Sequence, residues 1–180
     1  GDPVSPEKLI KCGLDEVNFQ IGGMTQETHE IYRINSNLKR VLTALIETIR
    51  LKKERNSKIR VIAGFIVMKH NEHEIETFQN HMAELGVDGI TVINPCVRNI
   101  PQGEQFLPEN KKYWDYDVEA FKNGNLKPII QPKNKCDWVY YSLSIHVNGD
   151  VVTCCRDTKG EMVMGNILKE DLDDIWNGQN

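Results

Sequence analysis

From Ile59 to Met68 apolar side chains fill both alternating sets of positions, broken only by Arg60 and Gly64. A strand of that kind is covered on both faces, as strands inside a parallel sheet are. Parallel neighbours cannot be joined by a tight turn, so each connection needs a crossover, usually a helix, and the crossover is right-handed. The flanking sequence supplies both crossovers. Upstream, Glu16 to Ile21 reads as a strand with Val17 and Phe19 apolar, and a short helix capped by Thr25 runs to Tyr32. A long helix follows from Asn37, with Leu38, Val41, Leu42, Leu45, Ile46 and Ile49 at helical spacing and Arg50, Lys52, Lys53 and Arg55 near its end. Downstream, Asn71 with Glu74 three residues on has the form of a capping box. It opens a helix that turns Ile75, Phe78, Met82 and Leu85 inward and stops at Gly86, before a third buried strand from Gly89 to Ile93. Ser5 and Pro6 start a short first helix that Gly13 ends. The order is βαβαβ, an α/β fold with a parallel sheet.

Three parallel strands leave two unpaired edges, a known route to association, and barrels of this type run to about 250 residues. The 180 residues are expected to bury one core and a small appendage. A net charge of −4 offers no basic surface, so neither nucleic acid nor a membrane is an expected partner. No apolar run approaches a membrane span, and Gly1 to Pro6 lack the charge and apolarity of a signal peptide. The expected location is the cytoplasm. Five cysteines, an odd number, fit reduced thiols better than a disulfide framework.

Beyond Asn94 the sequence turns polar up to Lys135, with Tyr113, Trp114, Tyr116 and Phe121 interspersed, and reads as a long loop with one helical turn at Val118 to Lys122. Trp138 to Val147 and Asp150 to Cys155 then read as a hairpin on a two-residue Asn148-Gly149 turn, with Val147 facing Asp150, Ile145 facing Val152 and Leu143 facing Cys154. Asp171 begins a last amphipathic helix holding Leu172, Ile175 and Trp176. Cys136, Gly149 and Cys154 form the pattern C-x12-G-x4-C, a turn that carries one thiol toward another and fits a soft-metal site. Ligand type does not separate zinc from iron–sulfur. Adjacent strand residues point to opposite faces, so Cys154 and Cys155 share a site only if the strand breaks, and the spacing favours Cys154.

In parallel α/β folds, active groups gather at the C-terminal strand ends. Here those are Gln20 to Gly23, Met68 to Asn71 and Asn94 to Cys96. Gly22-Gly23 allows close approach to backbone, although a tight strand-to-helix turn explains it as well. Arg33 beside that mouth could pair a carboxylate, although an arginine there is also an ordinary surface charge. Cys96 reads as an active-site thiol or a buried filler, Cys12 as core, and His29, His70, His73 and His81 as exposed residues. His146 reads as a surface or interface residue.

Together these pieces resemble the radical SAM enzymes that carry a SPASM or twitch auxiliary-cluster domain. Leu9 to Val17 resembles the helix leading into that family's fourth barrel strand, and Asn18 to Thr25 its strand end, with Gln20 and Gly22 standing where serine and aspartate are common. Arg33, the Ile62 to Asn71 strand and Leu85 to Asp88 continue the likeness. Asn148 to Asp157, Gly165-Asn166-Ile167 and Asp174 to Gly178 resemble the SPASM opening.

The resemblance implies the C-terminal part of a partial (β/α) barrel over residues 1–95, a connecting region over 96–135, and a truncated auxiliary-cluster hairpin plus helix over 136–180. It further implies [4Fe-4S] clusters and S-adenosyl-L-methionine as cofactors, a small-molecule or peptide substrate, and a reductant such as flavodoxin or ferredoxin. By the same resemblance Gln20, Gly22, Gly23 and Arg33 would help hold S-adenosylmethionine, Cys136 and Cys154 would bind auxiliary iron with Cys155 as the alternative, and 94–135 would close over the barrel mouth. No C-x3-C-x2-C occurs. The expectation is therefore an excised piece, inactive alone and prone to self-association through a sheet edge, with cluster thiolates upstream of Gly1 and further auxiliary ligands beyond Asn180. The competing expectation is a non-enzymatic scaffold whose cysteine pair binds zinc or nothing.

Overall fold

The computed structural model describes residues 5–130 and 135–178, in two compact units divided after Ile130. The first unit is built on strands β1 (Glu16–Ile21), β2 (Arg60–Ile66) and β3 (Gly89–Ile93), parallel and in that order, so β1 and β3 are edges. Helices α2 (Gln26–Tyr32) and α3 (Leu38–Glu54) connect the first pair of strands, and α4 (Ile75–Leu85) connects the second. Helix α1 (Pro6–Lys11) precedes β1, capped by the Ser5 hydroxyl, and Gly13 at φ +76° turns the chain out of it.

Strand alternation sorts the sheet into two unlike faces. Ile21, Val61, Ala63, Phe65 and Val67 join Leu45 and Ile49 of α3 and Phe78 and Met82 of α4 in one apolar core. The Phe65 and Phe78 rings lie 4.8 Å apart at its centre. The other face carries the even-numbered residues of β1 and β2 and the odd-numbered residues of β3: Gln20 pairs with Gly64 and Gly64 with Thr91, while Asn18 pairs with Ile62. A Cβ on Gly64 would lie 2.1 Å from the Gln20 Nε2, so this glycine leaves room for a neighbour's polar side chain to lie across the sheet. Ile46, expected inward on α3, is nearly half exposed.

The stretch after β3 is no bare loop. Helix α5 (Ile100–Phe106) forms on an Asn99 cap with Pro101 in its first turn, a start signal the sequence reading passed over. Helix α6 (Val118–Lys122) falls where one helical turn was expected. Val97, Leu107, Trp114 and Tyr116 make a second small core, with the Trp114 indole donating to the Pro108 carbonyl at 2.7 Å. The interspersed aromatics are therefore packing residues.

In the second unit β4 (Ser144–Ile145), β5 (Asp150–Val152) and β6 (Val163–Asn166) form an antiparallel sheet, followed by α7 (Leu172–Asn177). The hairpin register differs from expectation by one residue: Ile145 faces Val151 and Ser144 faces Val152. The cause is the turn. The Gly149 N–H donates to the His146 carbonyl at 2.9 Å, and only Gly149 takes positive φ, at +86°, giving a three-residue loop that ends in a left-handed glycine. Trp138, expected to open a strand, lies instead in a 3-10 turn over Asp137–Tyr140. Strand β6 was not anticipated; Gly165 on it admits the Ile175 side chain, whose Cγ1 lies 2.8 Å from where a Cβ would sit. Val151, Val152 and Ile175 are this unit's fully buried apolar residues.

Two outcomes are expected. Phe78→Ala should destabilise the first unit by about 3–5 kcal/mol, read as a lower urea midpoint at unchanged slope. Gly149→Ala should cost the second unit about 1–2 kcal/mol through its left-handed backbone, read as lost amide protection at Ile167, whose N–H donates to the Gly149 carbonyl.

Candidate functional sites

At the C-terminal end of the parallel sheet, the turn Gly22-Gly23-Met24 leaves β1 and enters α2. Thr25 and Thr28 form a reciprocal capping box there. A Cβ on Gly23 would come within 2.2 Å of the Thr28 Oγ1, and one on Gly22 within 3.0 Å of the His29 carbonyl oxygen and 3.1 Å of the Arg33 Cγ. Both glycines therefore make room for the chain's own α2 and the Arg33 stem. The tight-turn explanation accounts for them without a ligand.

Asn71 and Glu74 do not form the expected capping box, because Asn71 makes no capping bond and a 3-10 turn over Glu72–Glu74 precedes α4. Both side chains reach across to the β1 end. The Asn71 amide donates to the Gly22 carbonyl (2.9 Å) and the Ile66 carbonyl (3.0 Å), while its oxygen accepts from the Met68 N–H (2.7 Å). A Glu74 oxygen accepts from the Met24 N–H at 2.9 Å and from the Thr28 hydroxyl at the same distance. His29, expected on the surface, is wholly buried. Its Nδ1 accepts from the Gly22 N–H at 3.1 Å, which leaves the ring proton on Nε2 to donate to the Ser36 hydroxyl at 3.0 Å. Burial first, and the Arg33 charge second, hold the His29 pKa below its usual value against the opposing pull of Glu30. His70 is lowered as well, chiefly by burial.

Three buried side-chain atoms lack a hydrogen-bond partner among the described residues: Gln20 Oε1, Arg33 Nε and His70 Nε2. The Gln20 amide nitrogen is engaged with Asn18 at 2.9 Å, and the Arg33 guanidinium lies 5.4 Å from the Tyr32 ring centre. An unpaired acceptor and unpaired donors at strand ends suit a ligand that presents both kinds of group. At the β3 exit a cavity of about 170 Å³ is lined by residues that include Tyr32, Met68, Ile93, Cys96, Gln102 and Phe106. Cys96 is exposed rather than a buried filler. Cys12 is exposed too, at the end of α1, not in the core.

In the second unit β5 ends at Val152, so strand alternation no longer separates Cys154 from Cys155. Both thiols are free and exposed, as is Cys136, which precedes the 3-10 turn. The Arg156 N–H donates to the Cys154 sulfur at 3.4 Å. Among the described residues no three His, Cys, Asp or Glu side chains converge in a metal-ready group, so these three thiols do not make a closed site. Their type, freedom and exposure fit soft-metal ligation, and their number fits a partial ligand set. No helix among the described residues is long and apolar enough to cross a membrane.

Two solved structures resemble the chain loosely. One is BtrN in an open conformation, at 18% identity and TM-score 0.31, covering 77% of this chain and 55% of that one. The other is BtrN in complex with AdoMet and 2-DOIA, at 19% identity and TM-score 0.32, covering 77% and 58%. The chain thus spans a little over half the length of these structures. No curated protein matches. The model of the SPASM family, an iron–sulfur cluster-binding domain, matches residues 136–180. The match covers the last quarter of the chain and takes in Cys136, Cys154 and Cys155.

Proposed function

We propose that this chain is part of a radical SAM oxidoreductase, contributing a portion of the barrel wall and the opening of an auxiliary iron–sulfur domain. The observation that carries the reading is the SPASM match over residues 136–180, which begins on Cys136 and contains Cys154 at C-x12-G-x4-C spacing. The first unit supports it independently: a parallel sheet with its helices on one face and Asn18, Gln20 and Thr91 on the other is what a barrel wall requires.

Cys136 and Cys154 would hold the auxiliary cluster, with Cys155 the alternative, freed by the end of β5. At the strand ends Gln20 and Arg33 would hold S-adenosylmethionine, whose amino acid end presents donors and acceptors to the unpaired Gln20 Oε1 and Arg33 Nε. Gly22 and Gly23 would contribute backbone that α2 has already fixed in place. In the whole protein a separate [4Fe-4S] cluster, held by thiolates this chain lacks, would supply the electron for reductive cleavage of S-adenosylmethionine, and the auxiliary cluster would accept an electron or help hold substrate. The chain's own part is to orient the cofactor and to keep water from the strand ends, with Tyr32, Phe106 and His70 forming an aromatic rim. Residues 96–130 would bound the substrate side.

Three experiments test this. The gene is expected to encode C-x3-C-x2-C upstream of Gly1; a stop codon close after Asn180 with no upstream triplet would favour the scaffold reading. Anaerobic reconstitution of the full-length protein with iron and sulfide should give thiolate-to-iron absorbance, lost in Cys136→Ala and Cys154→Ala and kept in Cys155→Ala. Tight zinc with no iron would sink the cluster assignment. The 180-residue chain alone, given S-adenosylmethionine and a strong reductant, should release no 5′-deoxyadenosine, and release would overturn the division of labour proposed here.

A further inference from the structure

The Gly22–Met24 turn has three of its backbone polar groups tied down by buried side chains from other parts of the fold. The Gly22 N–H goes to His29 on α2, the Gly22 carbonyl to Asn71 beyond β2, and the Met24 N–H to Glu74 before α4. His29 and Asn71 are at most 1% exposed and Glu74 is 7% exposed. Such polar burial is costly unless every group is matched, and here the matching converges on Gly22 and Met24, the two ends of one three-residue turn. The Arg33 stem lies against Gly22, and Gln20 precedes it by two residues on the same strand face, so the turn also sets where the two unpaired groups point.

We infer that His29, Asn71 and Glu74 are positioning residues that lock the Gly22–Met24 turn, and through it Gln20 and Arg33, into a preformed ligand-facing edge. The ligand is the S-adenosylmethionine of the preceding reading, on which that part of the inference rests. Preformed polar groups bind without an ordering cost that a mobile turn would bear. His29 serves only while neutral. A proton on Nδ1 would set donor against donor at the Gly22 N–H. The charged groups acting on the ring are Arg33, which opposes that proton, and Glu30, which favours it. Gly22 and Ser36 face it as neutral partners, and Glu74 is occupied by Met24 and Thr28. Because the folded pKa is depressed, the lock is complete above about pH 6.5 and weakens as pH falls through the lower folded value.

Two near-isosteric variants separate the two ring nitrogens. His29→Asn places an acceptor near Nδ1 and keeps the Gly22 bond; His29→Gln reaches toward Ser36 and loses it. In the 180-residue chain, Gly22 amide exchange should be at least about tenfold faster in His29→Gln than in wild type, with protection at the Phe78 amide unchanged. His29→Asn should keep the protection, and should keep it as pH falls through the lowered folded pKa at which wild type loses it. S-adenosylmethionine affinity of the full-length protein carrying the same substitutions, by equilibrium dialysis, should follow the same order. Equal Gly22 exchange in all three proteins would overturn the lock. Altered exchange with unaltered affinity would overturn the positioning role. If wild type binds no S-adenosylmethionine, the ligand assignment falls while the exchange data still decide the lock.

Discussion

Strand β2 gives its backbone hydrogen bonds to two parallel neighbours, and that pairing constrains the rest of the first unit. Parallel pairing forbids hairpins, so α2, α3 and α4 must return the chain to the starting end each time. They return across one face, where Phe65, Phe78, Leu45 and Met82 exclude water. The second face carries Asn18, Gln20 and Thr91 beside Ile62 and Ile66, and the outgoing turns are all left at the same end. The site candidates collect there because the topology delivers every strand's exit to one edge, whatever the chemistry.

What makes that edge more than a set of turns is the direction in which its polar side chains reach. Asn71 and Glu74 could each have served the helix start beside them. Instead they cross to the β1 exit, and a 3-10 turn begins α4 without a side-chain cap. A helix start gives up local stabilisation of order 1 kcal/mol by losing its cap. The bonds made instead fix a neighbouring turn that local sequence cannot fix, since two successive glycines are the least constrained backbone available.

This exchange marks where the sequence was legible and where it was not. Local signals read well: the Ser5, Thr25 and Asn37 caps, the Gly86 stop and the bounds of β1 and β3 follow from side chains acting within a turn of themselves. Asn71-x-x-Glu74 has the spacing of a local cap, and only a contact 49 residues away in the chain decides against it. His29 is likewise indistinguishable from a surface histidine until Gly22 and Ser36 close around it. The hairpin slipped by one residue because Asn-Gly serves two-residue and three-residue turns alike, and the choice between them depends on whether Asn148 also takes positive φ, which it does not. Of the site itself, the cysteine spacing was legible; the unpaired atoms of Gln20, Arg33 and His70 could not be, since an unmatched group is a property of packing.

The second unit shows why its signature residues take the form they do. Among the described residues Val151, Val152 and Ile175 supply its fully buried apolar side chains, a small core even for a unit of fifty residues. Polar matching and backbone geometry therefore carry more of the structure. Gly149 supplies the left-handed turn residue, Gly165 admits Ile175, and Asn166 bonds both the Asn148 carbonyl and the Asp150 carboxylate. The Asn166 and Asn148 amides hold the Asp150 pKa below the ordinary carboxylate range, so the hairpin keeps that charge in mildly acidic solution. Around this frame Trp138, Tyr140, Tyr141, Val147 and Leu168 remain largely exposed. A unit so thin in apolar core gains most from a staple that ties its ends together, as small metal-binding domains do. Cys136 stands before the hairpin and Cys154 directly after it, so in the proposed function the cluster that serves the chemistry would also close the fold.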